Sequence, residues 1–218
     1  MQTHTEENYL KSIYNLASLN TGKVSVTGLA AALGNNPASV IDMLKRMVDK
    51  RLIRYDKVKG VRLTESGVKS ALETIRKHRL WEMFLQEKLG YGWDEVHEIA
   101  EELEHVRGIN LADRLDKFLG YPEFDPHGEV IPKADGKFTH LDEKALNETE
   151  TGRDYKVVSV KDTSRSFLKY LEKLNISIGT IIRVLEKIDF DDSLIISVKG
   201  VKNTISSKLA SNILIGTN

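Results

Sequence analysis

Residues 97 to 105 read His-Glu-Ile-Ala-Glu-Glu-Leu-Glu-His, two imidazoles and a run of carboxylates on a segment whose apolar positions keep helical spacing. At about 100° per residue, His97, Glu101, Glu104 and His105 fall within one quadrant of a helix. Imidazole nitrogen and carboxylate oxygen are the donors that Mn²⁺, Fe²⁺, Co²⁺ and Zn²⁺ accept, so the stretch is a candidate metal site. The alternative is a solvated face, because Val96, Ile99, Ala100, Leu103 and Val106 form an apolar stripe that leaves the charged groups pointing away from the core.

The elements that would position these groups can be read along the chain. A first helix is predicted from Thr5 to Leu19, closed by Asn20 to Gly22. A second runs from Val26 to Leu33, with Ser25 as N-cap and Gly34 as stop. Asn36 caps a third, with Pro37 in its first turn and Val40, Met43, Leu44, Met47 and Val48 as its buried stripe. Strands Leu52 to Tyr55 and Val61 to Leu63 flank a hairpin, Asp56 to Gly60, whose tip carries Lys57 and Lys59. Helix-turn-helix plus basic hairpin is a winged helix, a unit that sets its second helix in the DNA major groove. Pro37, Ala38, Ser39 and Asp42 begin that helix's DNA face, and Lys45 and Arg46 continue it.

A long helix from Thr64, its N-cap, to Lys88 carries His78 and Glu82 four residues apart, on one side. Its Leu72, Ile75, Trp81, Phe84, Leu85 and Leu89 exceed one narrow apolar stripe and suggest a dimer contact. The acidic helix is expected from Trp93 to Val106 and another from Asn110 to Leu119. Gly120 to Phe138 has little periodicity and reads as a linker. Strands are predicted at Tyr155–Val160, Ile181–Ile188, Leu194–Val198, Lys202–Ile205 and Asn212–Ile215, with a helix from Ser166 to Lys173. They make a small β-barrel.

Charge is segregated along a chain whose 32 basic and 32 acidic residues cancel. Between Lys45 and Arg62 stand eight basic residues against Asp49 and Asp56, whereas Asp94 to His105 holds six carboxylates and no Lys or Arg. One segment suits a polyanion, the other a cation. With no cysteine, any metal must be held by nitrogen and oxygen. No apolar run or leader argues for membrane or export, and a cytoplasmic location is expected. An enzyme is not expected: Glu102-Leu103-Glu104-His105 is the chain's one Glu-x-x-His motif where di-iron bundles need two, and His97 to Glu101 lacks the final His of a zinc protease.

These segments resemble the diphtheria-toxin-repressor or iron-dependent-regulator family and its shorter manganese transport regulators. The resemblance lies in Thr5–Leu16 (TEENYLKSIYNL), Pro37–Ile53, Gly60–Gly67 (GVRLTESG), Arg76–Glu82 (RKHRLWE), Val96–Val106 (VHEIAEELEHV), Asp125-Pro126-His127-Gly128 and Ile131-Pro132. Gly152 to Ile215 is similar to the family's SH3-like domain, akin to ferrous transport protein A. The resemblance implies a mainly α fold with a small β-barrel: a winged helix-turn-helix DNA-binding domain at 1–63, a helical dimerisation and metal-binding domain at 64–120, a linker at 121–151 and an SH3-like domain at 152–218. It implies a homodimeric, metal-dependent repressor of metal-uptake genes on a palindromic operator. His78, Glu82 and His97 match one family metal site, and Glu101, Glu104 and His105 the other. Glu101 stands where iron sensors carry cysteine and manganese sensors glutamate, which favours Mn²⁺ with Fe²⁺ as the alternative. Asn8 stands where relatives place a Met or Asp ligand and brings no charge; Ser164 and Phe167 stand near the third-domain ligand positions, with Asp162 the nearby carboxylate. The rival reading is a winged-helix regulator that senses an organic ligand or a partner protein.

Overall fold

The computed structural model describes residues 2–19, 23–137 and 142–216. The expected closure of the first helix at Asn20 to Gly22 and the linker's end at Phe138 lie outside these. The chain divides into two compact units: Met1–His78 with Glu102–Leu111 and Pro132–Lys137, and Arg79–Glu101 with Ala112–Ile131 and Phe138–Asn218.

The first unit contains helices α1 (His4–Leu19), α2 (Val26–Ala32) and α3 (Pro37–Asp49), then strands β1 (Ile53–Asp56) and β2 (Gly60–Leu63). Capping follows the sequence signals: Ser25 accepts from Gly28 N–H, and Asn36 from Ser39 N–H with Pro37 in the first turn. Tyr9, Leu10, Ile13, Leu29, Val40, Leu44, Met47, Ile53 and Val61 interlock as the core. Val48, expected in the buried stripe of α3, is exposed. Gly60 turns the wing at φ +79°, and a Cβ there would stand 2.6 Å from the Val24 carbonyl, so this position admits only glycine. Helix α4 (Glu65–Leu89) follows, capped by Thr64 Oγ1, which accepts from Gly67 N–H at 3.1 Å.

The second unit takes α4 beyond His78, most of α5 (Val96–Leu103), α6 (Leu111–Phe118) from Ala112 on, and the C-terminal elements β3 (Glu143–Ala145), β4 (Asp154–Val160), α7 (Arg165–Lys173), β5 (Ile181–Lys187), β6 (Leu194–Val198), β7 (Val201–Ile205), α8 (Ser207–Ala210) and β8 (Ile213–Gly216). Six strands form one antiparallel sheet in the order β3-β8-β4-β5-β6-β7. Inward residues alternate, as along Leu194–Val198, and pack on Phe167, Leu168 and Leu171 of α7. Register shifts after Val157 and Val184 bend the sheet. Leu80, Leu115 and Ile131 form a separate cluster with Trp81 and Phe84, while Leu89, Phe118 and Tyr121 remain exposed. Among the described residues no helix is long and apolar enough to cross a membrane.

The acidic helix is shorter than its periodicity predicts. Residues 93–95 form a turn, where Glu95 Oε2 accepts from Gly92 N–H and Trp93 is drawn into the sheet core, its Nε1 donating to Glu172 at 2.9 Å. Past Leu103 the chain leaves the helix through a turn closed by Val106 N–H to Leu103 O at 3.0 Å. Glu104 and His105 therefore lie in the turn that follows the helix.

Candidate metal centres and nucleic-acid interface

Leaving the helix buries Glu104 and His105, and the solvated-face alternative fails for both. In the first unit Glu104 Oε2 meets Lys11 Nζ at 2.8 Å and His78 Nδ1 at 2.7 Å. His105 Nδ1 lies 2.6 Å from Glu7 Oε2, and its ring stacks on His4 at 4.5 Å between centroids. A carboxylate on Nδ1 makes that nitrogen the donor, so Nε2 is the ring nitrogen left to face a metal. That Nε2, Glu104 Oε1 and Asn8 Oδ1 are all buried without a hydrogen-bond partner among the described residues. Each such atom costs about 1–3 kcal/mol unless something satisfies it. Oε1 and Nε2 stand 3.7 Å apart, too far to bond each other and close enough to share one ion. Buried nitrogen and oxygen atoms with no hydrogen-bond partner among the described residues fit a divalent cation.

The second unit carries a similar cluster. Glu82 is buried, with Oε1 3.0 Å from His97 Nδ1 and Oε2 3.6 Å from His127 Nδ1. Glu82, Asp125 and His127 offer ligand atoms that all lie within 4.8 Å of one another. His97 Nε2 is also 3.8 Å from Glu101 Oε1, four residues along α5. His127 Nε2 donates to the Trp93 carbonyl at 2.8 Å, which aims Nδ1 at the carboxylates. Burial, with the charges of Glu82 and Glu129, raises the Asp125 carboxyl well above its ordinary range despite Arg79. Burial alone would lower His127, yet the bond to Glu82 and the charges of Glu82 and Asp125 raise it. Burial and like charge thus favour the proton on Asp125, and the neighbouring carboxylates favour it on His127.

Asp125 and His127 are donors that the sequence reading placed in a linker. Asp125 Oδ1 accepts from His127 N–H and Glu129 N–H, fixing the loop, and Gly128 lets it approach β4, where a Cβ would stand 1.9 Å from Val158 O. The Asp-x-His spacing was the available signal.

The basic face also lies in the first unit. Pro37, Ala38, Ser39, Asp42, Lys45 and Arg46 of α3 and Lys57 and Lys59 of the wing are all exposed, and Lys45 pairs with Asp42 at 3.0 Å. Arg54 sits opposite Arg62 in the hairpin register, a like-charge pairing that an external polyanion would relieve. Helix α1 links this face to the acidic loop. Glu6 binds Lys50, the C-cap of α3, at 2.7 Å, while Glu7 holds His105 and Lys11 holds Glu104.

A winged helix tied through one helix to a buried cluster of metal-type donors defines a metal-responsive DNA-binding regulator. The comparisons agree. Residues 1–61 match the iron dependent repressor N-terminal DNA binding domain, 64–133 the iron dependent repressor metal binding and dimerisation domain, and 144–216 the FeoA domain. The chain is 30% identical over 149 residues to the HTH-type transcriptional regulator MntR of Oceanobacillus iheyensis, covering 66% of this chain and 100% of that one. It is 34% identical over 128 residues to the iron-dependent repressor IdeR of Mycobacterium tuberculosis, covering 59% of this chain and only 55% of that relative's length. A solved manganese-dependent transcriptional repressor in complex with manganese is 32% identical, covering 98% of this chain and 100% of that one, with a TM-score of 0.90. The chain belongs to the iron-dependent repressor family of metal-dependent, DNA-binding transcriptional repressors, with a C-terminal SH3-like FeoA domain. Such proteins are not enzymes, and nothing in the comparisons supports an organic-ligand sensor.

Proposed function

We propose that this chain is a manganese-responsive, cytoplasmic repressor of metal-uptake genes that binds a palindromic operator as a homodimer, with Fe²⁺ as the alternative corepressor. The carrying observation is the trio of buried, unpartnered donor atoms on Asn8, Glu104 and His105. A donor set without sulfur suits a hard ion such as Mn²⁺, and the similar repressor solved with manganese supports the same choice. The second set is Glu82 and His97 with Asp125 and His127. The resemblance to the family also gives Glu101 and His78 as metal ligands.

A bound divalent ion would supply the partner that these buried donor atoms lack. Asn8 on α1 would hold it together with Glu104 and His105, which would tie α1 to the acidic loop. Glu6 on the same helix keeps Lys50 at the end of α3, so the orientation of the DNA-facing helix follows that of α1. In a dimer the two α3 helices address half-sites about 34 Å apart. Pro37, Ala38, Ser39, Asp42, Lys45 and Arg46 meet bases and backbone, while Lys57 and Lys59 take phosphates.

The test is anisotropy on a palindromic promoter fragment with and without Mn²⁺ or Fe²⁺, for the wild type, Glu104→Ala and His105→Ala. Metal should tighten wild-type binding about 100-fold and leave both variants unresponsive. Metal-independent binding by all three overturns the proposal.

A further inference from the structure

Lysine is an unexpected neighbour for a carboxylate that is to hold a cation. Lys11 lies on α1 three residues after Asn8, its side chain is 13% exposed, and its ammonium is 2.8 Å from Oε2 of the fully buried Glu104. Burying an ammonium is costly and is tolerated where it neutralises a buried anion. We infer that Lys11 is a resident counter-cation of Glu104 that sets the free-metal concentration at which the first cluster fills.

Lys11 and His78 both occupy Oε2, so Oε1 is left for a ligand. In the metal-free protein Lys11 spares Glu104 from being an unpaired buried charge. When a divalent ion arrives, it meets a carboxylate already neutralised on its other oxygen. Asn8 acts in the same direction, offering a carbonyl oxygen without charge. Two positions on α1 thus stabilise the empty state and weaken the filled one. Such a site stays empty at trace metal and responds only when free metal rises.

A merely structural lysine predicts a loss on removal in every state; a resident counter-cation predicts opposite signs. In Lys11→Met, melting of the metal-free protein should fall while Mn²⁺ affinity by calorimetry rises about ten-fold, the partly screened effect of deleting one charge from the cluster. Lys11→Arg should restore the wild-type melting and affinity. Lys11→Gln keeps a donor to Glu104 without the charge, and should also bind Mn²⁺ more tightly should the methionine variant fail to fold. The inference depends on Glu104 being a metal ligand, as proposed above. If wild type takes up no Mn²⁺, both readings fall. If wild type binds and Lys11→Gln binds no tighter, only the role of Lys11 falls.

Discussion

The Glu104–His105 cluster and the Glu82–Asp125–His127 cluster use the same donors at similar burial, yet they hold different things. The first reaches into α1, and the neighbouring carboxylate Glu6 reaches on to Lys50 at the end of α3. The second is fastened to a loop and a sheet, through the Trp93 carbonyl, the Asp125 turn and the close contact of Gly128 with β4. Donor chemistry alone does not make a switch. What makes one is attachment of the donors to an element that also carries the output, so the first cluster should control DNA binding and the second should brace the fold.

The strongest way to break that contrast is His105→Ala, which should abolish the roughly 100-fold metal stimulation of DNA binding expected in the anisotropy assay. Next comes Glu6→Gln. It should leave Mn²⁺ uptake unchanged while metal-dependent DNA affinity drops about ten-fold, because the tie to α3 is cut. The same variant has a pH signature. Burial alone would raise the Glu6 carboxyl, but Lys50 and the Thr3 N–H outweigh it and hold the group below its ordinary value. Its stabilising contribution is therefore complete above about pH 5 and is lost as pH falls through the lowered value, so Glu6→Gln should flatten the acid side of the stability profile. His127→Ala should remove one equivalent of bound metal and lower the melting temperature, with only a few-fold change in DNA affinity. Complete loss of DNA response in that variant would make the second cluster a switch as well. Lys57→Ala or Lys59→Ala should do least, each reducing the slope of log affinity against log salt by about one without altering the metal response.

The winged helix was legible because its signals are local. Ser25, Asn36, Pro37 and Thr64 cap or start helices wherever they stand, and the stripe of Val40, Met43, Leu44 and Met47 has the period of one buried face. The same reasoning overran at the acidic helix, where the apolar spacing persists through Val106 but the helix ends at Leu103. Periodicity cannot register that Glu104 and His105 find partners on α1, more than ninety residues earlier. Strand β3 and helix α8, at three and four residues, are too short to show a period.

By itself the sequence determined the donor inventory, the segregation of charge and the identities of the capping residues, since each depends only on residue type and near neighbours. The tertiary structure alone decided that Glu104 and His105 are buried, that Asp125 and His127 of an aperiodic stretch stand with Glu82, and that a lysine occupies the carboxylate of the first cluster. Burial and charge pairing depend on which distant segments the fold brings together, and a one-dimensional pattern carries no record of that.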